Sequence, residues 1–381
     1  MKKQIDKIKE NGATFTPKVL ADYLAKSILK YTDKASSYCI LDPACGDGAL
    51  LHSISSILHK HKIELQGYDT DLEYINKAKQ NLAETESVSV SLYNQDFLSI
   101  SPNNQDLFSS EQKYNFADIV IANPPYVRTQ TLGADKAQKL SKDFNLSGRI
   151  DLYYPFLMAM TNALKTGGIL GVITSNRYIC TKSGADIRKF LYDNYSVLEI
   201  IDLGDTKLFD AAVLPAIFIG VKKNRRTAST IIPKFKSIYE TSKSCNNGTP
   251  CNSIFEILET EDPGIYSVGN VCYEYKTGTL NATENKTDTW QLATKKDEKW
   301  LDIIQKNTSF RIKDRFKVRV GVKSCADNIF ISQLWDKEGF AIETKILKPM
   351  LSQENINTWS IDREAIQSVI YPHYSQDDKV Y

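Results

Sequence analysis

The sequence predicts an α/β protein in which a sheet of mainly parallel strands is followed by a smaller domain of mixed character. From about residue 14 to 222, short apolar segments alternate with amphipathic ones, as is typical of β-α-β units. This alternation then stops, and a stretch rich in Ser, Thr, Asn and Gly follows. The 381 residues, 42% of them hydrophobic, suffice for two domains. We therefore expect a first domain over residues 1–226, a linker over 227–253, and a second domain over 254–381 whose completeness the sequence leaves open.

Seven apolar segments in the first domain are strand candidates. They are Tyr38–Asp42, Ile63–Asp69, Val88–Tyr93, Asp118–Asn123, Gly168–Thr174, Val197–Leu203 and Leu214–Val221. We expect helices between them, except that the last two strands are joined only by the segment GDTKLFDAAV. Because that segment is too short for a crossover helix, these two strands should pair antiparallel. The sheet should therefore carry an antiparallel edge strand, which a plain dinucleotide-binding fold lacks.

Composition limits the partners and the location that can be expected. The chain has 48 Lys and Arg against 46 Asp and Glu, so its formal charge of +2 does not by itself indicate a nucleic-acid partner. A charged start, with no apolar run near the ~20 residues of a membrane helix, predicts a cytoplasmic protein without a membrane partner. None of the seven cysteines forms a C-x-x-C pair, so we expect reduced thiols and no metal.

The turn after the first strand is a candidate cofactor site. Its sequence, DPACGDG, contains two glycines that let the backbone pass close to a ligand, although a purely structural turn uses glycine in the same way. The turn has two carboxylates and no G-x-G-x-x-G pattern, so it suits a pyrophosphate poorly and a cationic sulfonium with an amino acid tail better. The candidate cofactor residues here are Asp42, Ala44, Gly46 and Gly48.

The next two strands end in residues that suit a nucleoside. Asp69 ends the second strand, where a carboxylate can accept hydrogen bonds from both hydroxyls of a ribose. The third strand is followed by Asp96 and Phe97, which offer a carboxylate and a ring to an adenine. Taken alone, an aspartate in the position of Asp96 is more often a helix cap. Three successive strand ends thus predict a nucleoside cofactor that carries a sulfonium, S-adenosyl-L-methionine.

The fourth strand runs directly into Asn123, Pro124, Pro125 and Tyr126, at the strand end where α/β folds place their chemistry. An aromatic amine is a poor nucleophile because its lone pair is delocalised into the ring. The side-chain oxygen of Asn123 and the carbonyl of Pro124 can each accept one N–H of such an amine and draw its nitrogen toward tetrahedral geometry. Tyr126 offers a face on which a base flipped out of a duplex can stack. A rigid turn without chemistry is the alternative for this tetrapeptide alone.

At these residues the chain resembles the gamma-class DNA amino-methyltransferases, the TaqI-like N6-adenine enzymes of restriction–modification systems. The segment GATFTPKVLADYLA, the turn DPACGDG, Asp69, Asp96-Phe97 and NPPY follow one another in the family's order. The resemblance covers about residues 12–222 and the segment RVGVKSCADNIFI. It implies a Rossmann-like methyltransferase sheet, S-adenosyl-L-methionine as cofactor, and methylation of the N6 amine of adenine in double-stranded DNA. It also implies that Thr16 and Pro17 lie by the methionine end of the cofactor.

The chain departs from this family at the expected position of a second aromatic residue beside the flipped base. Gly184 stands where related enzymes often carry that aromatic side chain. Tyr178 is a candidate substitute. The sequence leaves the second stacking partner open.

Basic residues predict the DNA-binding surface. In FRIKDRFKVRVGVK, cations alternate with mainly apolar residues, so a strand here would have one wholly cationic face. We favour a strand that contacts phosphates over a solvated surface strand. The loop after Tyr126 adds a further basic candidate. The candidate DNA-binding residues are Arg128, Arg311, Lys313, Arg315, Lys317 and Arg319.

Three other functions remain open. The same tetrapeptide suits a methyltransferase that acts on protein glutamine or on an RNA amine, and the fold also suits a non-catalytic DNA-binding subunit. The basic second segment favours DNA, because recognition of a DNA sequence needs such a surface. Double-stranded DNA is therefore the expected partner, together with a cognate restriction subunit or a chain that completes the recognition domain.

Overall fold

The computed structural model describes most of the chain. The described residues are 15–33, 35–82, 85–99, 115–126, 133–144, 151–209, 214–224, 232–241, 248–281, 286–317, 321–322, 324, 326–335, 342–357, 359–364, 366–371, 375–376 and 379–380. They fall into two compact units, residues 1–303 and 304–381.

The first unit begins with alternating helices and strands. Up to residue 222 these are α1 (Lys18–Leu29), β1 (Ser37–Asp42), α2 (Ala49–Ile57), β2 (Lys62–Asp69), α3 (Leu72–Asn81), β3 (Val88–Asn94), β4 (Ala117–Ala122), α4 (Ala134–Asp143), α5 (Tyr153–Ala163), β5 (Leu164–Ser175), α6 (Arg177–Cys180), α7 (Ala185–Asn194), β6 (Tyr195–Asp202) and β7 (Pro215–Lys222). All seven predicted strands are therefore confirmed, with bounds that differ by a few residues.

The strands form one sheet in the order β3-β2-β1-β4-β5-β7-β6. Strands β1 to β5 pair in parallel, and β7 runs antiparallel to both β5 and β6. The predicted antiparallel pair of β6 and β7 is confirmed, but its predicted position at the edge of the sheet is wrong, because β7 lies between β5 and β6. The sheet continues beyond this pair, because β6 also pairs in parallel with a further strand.

Helices cover both faces of the sheet, so its central strands, such as β4 and β7, are apolar on two sides. In β4, Ile119 and Ile121 pack into the core beneath α1, α2 and α3, whereas Val120 and Ala122 pack into the core beneath α5 and α7. This alternation follows from the two-residue period of a strand. The same burial explains why the predicted strands were near-continuous apolar runs. The result is a three-layer α/β/α arrangement that exposes the carboxyl ends of β1, β2 and β4 along one edge.

The rest of the first unit extends the sheet. It contains β8 (Lys234–Glu240), β9 (Thr249–Pro250), α8 (Ile254–Glu259), β10 (Gly264–Val268), β11 (Val271–Asn281), β12 (Gln291–Ala293) and α9 (Lys295–Asn307), the last of which crosses the boundary at 303. Strand β8 pairs with β6 and with β11. The predicted linker therefore contains a strand of the sheet, and the division into a catalytic and a recognition domain stays a prediction. Cys272 is disulfide-bonded, which corrects the expectation that all thiols are reduced.

The second unit contains short elements. They are α10 (Ile312–Arg315), α11 (Asp327–Phe330), β13 (Ile331–Ser332), β14 (Leu347–Met350), β15 (Gln367–Ile370), β16 (Ser375–Gln376) and β17 (Lys379–Val380). Strand β15 lies between β13 and β14 in a small antiparallel sheet, and β16 pairs with β17.

The predicted cationic strand is wrong where the structure describes it. Ile312–Arg315 is one turn of helix, and the Arg311 backbone N–H donates to the Asp314 carboxylate (2.7 Å). A capping carboxylate three residues into a segment favours a helical turn over an extended strand. Arg311, Lys313 and Arg315 therefore do not share one strand face.

No helix within the described ranges is long and apolar enough to cross a bilayer.

Candidate active site

The turn after β1 is tied to the end of β2. The backbone N–H of Cys45 donates to the Tyr68 carbonyl (2.8 Å), and the backbone N–H of Gly46 donates to Asp69 Oδ2 (3.0 Å). These bonds hold the turn open at the carboxyl edge of the sheet, next to the N-terminus of α2. The structure therefore brings Asp42, Gly46 and Asp69 together, as the sequence predicted.

The two glycines of this turn have different roles. Gly46 has φ +52°, and no atom of the described residues lies within 4 Å of where its Cβ would stand. Gly48 has φ +83°, and its Cβ would lie 3.2 Å from Leu82 and 3.3 Å from Ala78. Gly48 thus allows close packing against α3, whereas Gly46 leaves open space beside the backbone that a ligand can fill.

Asp42 is a buried carboxylate without a full set of partners. Its side chain is 1% exposed, its Oδ1 accepts the backbone N–H of Ala44 (3.1 Å), and its Oδ2 has no partner among the described residues. Burial, with a smaller effect of the Asp69 and Asp47 carboxylates, raises the pKa of Asp42 to about 8. The ionised form of such a buried carboxyl group needs a cation or a donor beside it.

Asp69 uses both of its oxygens to shape the site. Oδ2 accepts the Gly46 N–H, and Oδ1 accepts the Asp71 N–H (2.9 Å). Burial raises the pKa of Asp69, and these backbone bonds oppose that shift. A backbone hydrogen bond from Thr70 also lowers the pKa of this carboxylate. Because its two oxygens together have four lone pairs, Asp69 keeps acceptor capacity for a hydroxyl of a ligand.

The residues after β3 lie at the same edge. Asp96 is half-buried, and its Oδ1 accepts the backbone N–H of Leu98 (3.0 Å), so it caps a short turn. Phe97 is 5% exposed, and its ring centroid lies 5.1 Å from that of Tyr68. The contacts of these two residues with a cofactor, like that of Ala44, stay predictions.

The predicted catalytic residues follow β4, the neighbour of β1 in the sheet. Asn123 is 9% exposed and stands directly after the strand. The hydroxyl of Tyr126 donates to Asn123 Oδ1 (2.6 Å), and burial raises the pKa of Tyr126 well above its ordinary value, so this hydroxyl keeps its proton. Pro124 is buried and Pro125 is half-buried. The amide oxygen that the sequence predicted as an acceptor is thus present, and it already accepts a hydrogen bond from the Tyr126 hydroxyl.

The segment before α1 reaches the side-chain amide of Asn123. Asn123 Nδ2 donates to Thr16 Oγ1 (3.0 Å), although the two residues are 107 positions apart. The carbonyl of Pro17 accepts the backbone N–H of Ala21, which begins the helix (3.0 Å). The sequence placed Thr16 and Pro17 beside the cofactor through the family resemblance alone. The contact between Thr16 and Asn123 was not foreseen.

Phe209 is a site residue that the sequence reasoning missed. Its ring centroid lies 6.4 Å from that of Tyr126, at an interplanar angle of 61°, and it is 9% exposed. It follows β6, whose carboxyl end lies at the same edge as that of β4. An aromatic residue in the GDTKLFDAAV connection was the signal that could have found it.

The loop that carries Phe209 is held by a buried carboxylate. Asp202 Oδ1 accepts from Asn176 Nδ2 (3.0 Å) and from the Gly204 N–H (3.1 Å), and Oδ2 accepts from the Tyr239 hydroxyl (2.8 Å). A network of charge-assisted bonds of this kind fixes the start of the loop.

The positions that the sequence considered for a second aromatic partner are occupied by core packing. A Cβ on Gly184 would overlap the carbonyl oxygen of Tyr178, so no larger side chain fits there. Tyr178 itself is 1% exposed and packs edge-on against Trp290, with ring centroids 5.7 Å apart. Neither residue therefore offers a ring to a base.

The predicted DNA-binding residues are described only in part. Arg128 and Arg319 lie outside the described residues. Arg311, Arg315 and Lys317 are exposed, and the Arg315 guanidinium lies over the Phe310 ring, 4.2 Å from its centroid. No acidic, His or Cys cluster suited to a metal ion occurs in the described part of the chain.

The sheet order and this site together define the class of the protein. The fold is that of the S-adenosylmethionine-dependent methyltransferases. Its features are a sheet with β7 inserted antiparallel, a glycine turn after β1 and an acidic residue at the end of β2. A modification subunit of a putative type I restriction enzyme from Vibrio vulnificus YJ016 has the same fold, with a TM-score of 0.50 and 13% identity over 80% of this chain and 64% of that one.

Sequence comparison identifies the family within this class. Residues 31–209 match the Eco57I restriction-modification methylase family. The type II methyltransferase M.BanIII of Aneurinibacillus aneurinilyticus is 39% identical over 98% of this chain and 67% of its own length. M.BstVI of Geobacillus stearothermophilus is 24% identical over 92% of this chain and 64% of its own length. The chain therefore belongs to the type II restriction–modification methyltransferases, whose cofactor is S-adenosyl-L-methionine, and it spans about two thirds of the length of these relatives.

The residues of the glycine turn fit that cofactor. The unpartnered Oδ2 of buried Asp42 suits a cationic ligand, the open space at Gly46 admits one close to the backbone, and Asp69 has acceptor capacity left for a sugar. The acceptor groups and the open space of this site therefore fit the cofactor of the family.

Proposed function

We propose that this protein is a site-specific DNA methyltransferase that methylates the exocyclic N6 amine of an adenine flipped out of duplex DNA. The observation that carries this proposal is that Asn123, at the end of β4, presents an amide oxygen that already binds a donor, on the strand next to the glycine turn of β1. We further propose that it is the modification component of a cytoplasmic restriction–modification or phage-defence system, acting with a cognate restriction subunit or a completing chain.

Asp42, Gly46 and Asp69 would hold S-adenosyl-L-methionine, with Asp69 on the ribose and Asp42 near the positive charge. The cofactor supplies a methyl group made electrophilic by its sulfonium. The chain's own part is to present the amine. Asn123 Oδ1 and the Pro124 carbonyl each accept one N–H, so the nitrogen lone pair is directed at the methyl carbon. When bound, the cofactor would give up this methyl group through cleavage of its sulfur–methyl bond, and the amine would lose one proton to solvent as it is methylated.

Tyr126 has two parts in this mechanism. Its hydroxyl occupies Asn123 Oδ1 in the absence of a base, so the target amine replaces one donor with another at that oxygen. Its ring then stacks on the flipped base. Phe209, whose ring faces Tyr126, would close the base pocket from a second side. Stacking of this kind contributes about 1–3 kcal/mol per base.

An amine target is favoured over a ring carbon. Methylation of a ring carbon of cytosine requires a nucleophile such as a cysteine thiolate. Cys45 lies in the cofactor turn, where burial and the carboxylates of Asp42 and Asp69 raise the pKa of its thiol. A thiol of this kind stays protonated and unreactive. The amide of Asn123 instead suits an amine.

The direct test is to identify the methylated base. DNA from cells that express the protein is digested to nucleosides and analysed by mass spectrometry. N6-methyladenine is expected, and N4-methylcytosine in its place would contradict the choice of base. Absence of any methylated nucleoside, together with wild-type DNA binding, would instead support the non-catalytic subunit.

The catalytic assignment is tested with two variants and a control. Asn123→Ala should lower single-turnover transfer by roughly 10²-fold with little change in DNA affinity, because the acceptor acts mainly in the transition state. Tyr126→Ala should alter the fluorescence of 2-aminopurine at the target position and slow transfer less. Asn194, whose side chain donates to the Phe190 carbonyl at the end of α7, provides the matched control Asn194→Ala. Wild-type transfer by Asn123→Ala would overturn the assignment.

A further inference from the structure

The two ends of the Asn123 amide are not equivalent for the proposed reaction. Its oxygen can accept an N–H of the target amine, whereas its nitrogen can only donate. If the amide were turned by 180°, two donors would face each other and the amine would lose its partner. Some group must therefore hold the Nδ2 end away from the base.

The Tyr126 hydroxyl does not do this during the reaction. It donates to Asn123 Oδ1 at 2.6 Å, which is the position that the target amine takes. When the base enters, this bond is given up.

Thr16 lies at the other end of the amide. Its Oγ1 accepts from Asn123 Nδ2 at 3.0 Å, on the side away from Tyr126. The segment around it is fixed on both sides. The Phe15 ring packs edge-on against Tyr74 of α3 with centroids 5.1 Å apart, and Pro17 starts α1. Threonine also has few side-chain rotamers because it is β-branched.

We infer that Thr16 is a positioning residue, whose hydroxyl accepts from Asn123 Nδ2 and so turns Oδ1 toward the target amine. This role rests on the proposed function and differs from the contact with the cofactor that the family resemblance implies for Thr16. The N-terminal segment thus completes the catalytic group on β4, although it precedes that strand by about a hundred residues in sequence.

The first test replaces the hydroxyl with a methyl group of similar size. In the full chain, Thr16→Val should lower the single-turnover rate about tenfold at saturating cofactor and DNA, with both dissociation constants within twofold of wild type. Thr16→Ser keeps the hydroxyl and should restore the rate to within threefold. Thr32 donates from its hydroxyl to the Ile28 carbonyl at the far end of α1, so Thr32→Val is the matched control and should leave the rate unchanged.

The second test removes the need for orientation. A carboxylate offers an acceptor oxygen whichever way it turns, so Thr16→Val should cost several-fold less in an Asn123→Asp background than in the wild type. An equal cost in both backgrounds would overturn the inference. It would also fail if Thr16→Val weakened the cofactor and left the saturated rate intact, because Thr16 would then be only a cofactor contact.

A third measurement does not depend on methyl transfer. The side-chain amide protons of Asn123 can be followed by NMR after selective asparagine labelling and assigned by their loss in Asn123→Asp. Thr16→Val should shift them and speed their exchange, whereas Thr16→Ser and Thr32→Val should not. Unchanged signals in Thr16→Val would overturn the contact. If Thr16→Val does not fold, Thr16→Ala takes its place in all three tests. A wild type that transfers no methyl group would overturn the proposed function, while the NMR result decides the contact.

Discussion

We predict that Asp42 makes the binding of S-adenosyl-L-methionine depend on pH. Its pKa of about 8 in the unliganded protein means that the carboxyl is mostly protonated at neutral pH. A bound cation favours the ionised form, so binding must release a proton below pH 8 and affinity should rise with pH. About 3% of Asp42 is ionised at pH 6.5 and about 76% at pH 8.5, so its contribution to affinity should grow roughly 25-fold over this range.

The cofactor affinity of the wild type is compared with that of Asp42→Asn. The α-amino group of the cofactor titrates in the same range, with a pKa of about 7.7–8.0, so the affinity of the wild type alone would mix two effects. The ratio of wild-type to Asp42→Asn affinity, measured by calorimetry at several pH values, removes the ligand's own titration. Asp135 is exposed on α4, and Asp135→Asn is the matched control.

Two results would refute this reasoning. A ratio that stays constant from pH 6.5 to 8.5 would mean that Asp42 does not change its ionisation on binding. Binding heats that do not vary with the ionisation enthalpy of the buffer, after correction with Asp42→Asn, would exclude the proton release. Asp135→Asn should reproduce the wild-type profile in both measurements.

Three further outcomes follow from the geometry. Asp69→Ala should weaken S-adenosyl-L-methionine binding roughly 10- to 150-fold in calorimetry, since charge-assisted bonds contribute about 1.5–3 kcal/mol. An unchanged dissociation constant in a folded variant would show that Asp69 does not bind the cofactor. Replacing Arg311, Lys313 and Lys317 together with Gln should lower the salt dependence of DNA binding by about 0.9 log unit for each phosphate that the variant no longer neutralises, and an unchanged slope in filter binding would exclude these cations from the DNA backbone. Gly184→Ala should lower the midpoint of thermal unfolding by several degrees, because its Cβ would overlap the backbone oxygen of Tyr178; an unchanged midpoint would contradict this packing argument.

The sheet could be predicted because its signals are local. Apolar runs such as those of β1 and β4 are buried on both faces, so they are continuous in sequence and easy to bound. The short GDTKLFDAAV connection likewise determined that β6 and β7 are antiparallel. The position of β7 between β5 and β6 was not readable in this way, since pairing with β5 is a long-range choice.

The cationic segment shows where local pattern is misleading. Alternation of Arg and Lys with apolar residues predicted a strand, but the pattern also places Asp314 three residues after Arg311, where its carboxylate caps a helical turn. The competing signal was a single residue inside the alternation. A short segment with little buried surface follows such local hydrogen bonds, since no packed core enforces a strand.

The residues of the candidate site also fall into those with a local sequence signal and those without one. The turn of Gly46, the carboxylate of Asp69 and the tetrapeptide after β4 are each contiguous motifs, and parallel pairing alone brings their strand ends to one edge. Phe209 and Thr16 reach that edge from distant segments as single residues, so no spacing rule identifies them.

That difference has a chemical side. In the proposed mechanism, the contiguous motifs supply the groups that bind the cofactor or accept hydrogen bonds, such as the oxygen of Asn123. The distant residues orient those groups. An amide turned the wrong way presents its NH2 group, a donor, to the target amine, whereas in the orientation that the reaction needs Asn123 Nδ2 donates to Thr16 Oγ1. The correct orientation depends on a hydrogen bond across the fold, so a chain with an intact tetrapeptide but a displaced N-terminal segment would keep the motif without the geometry that the proposed reaction requires.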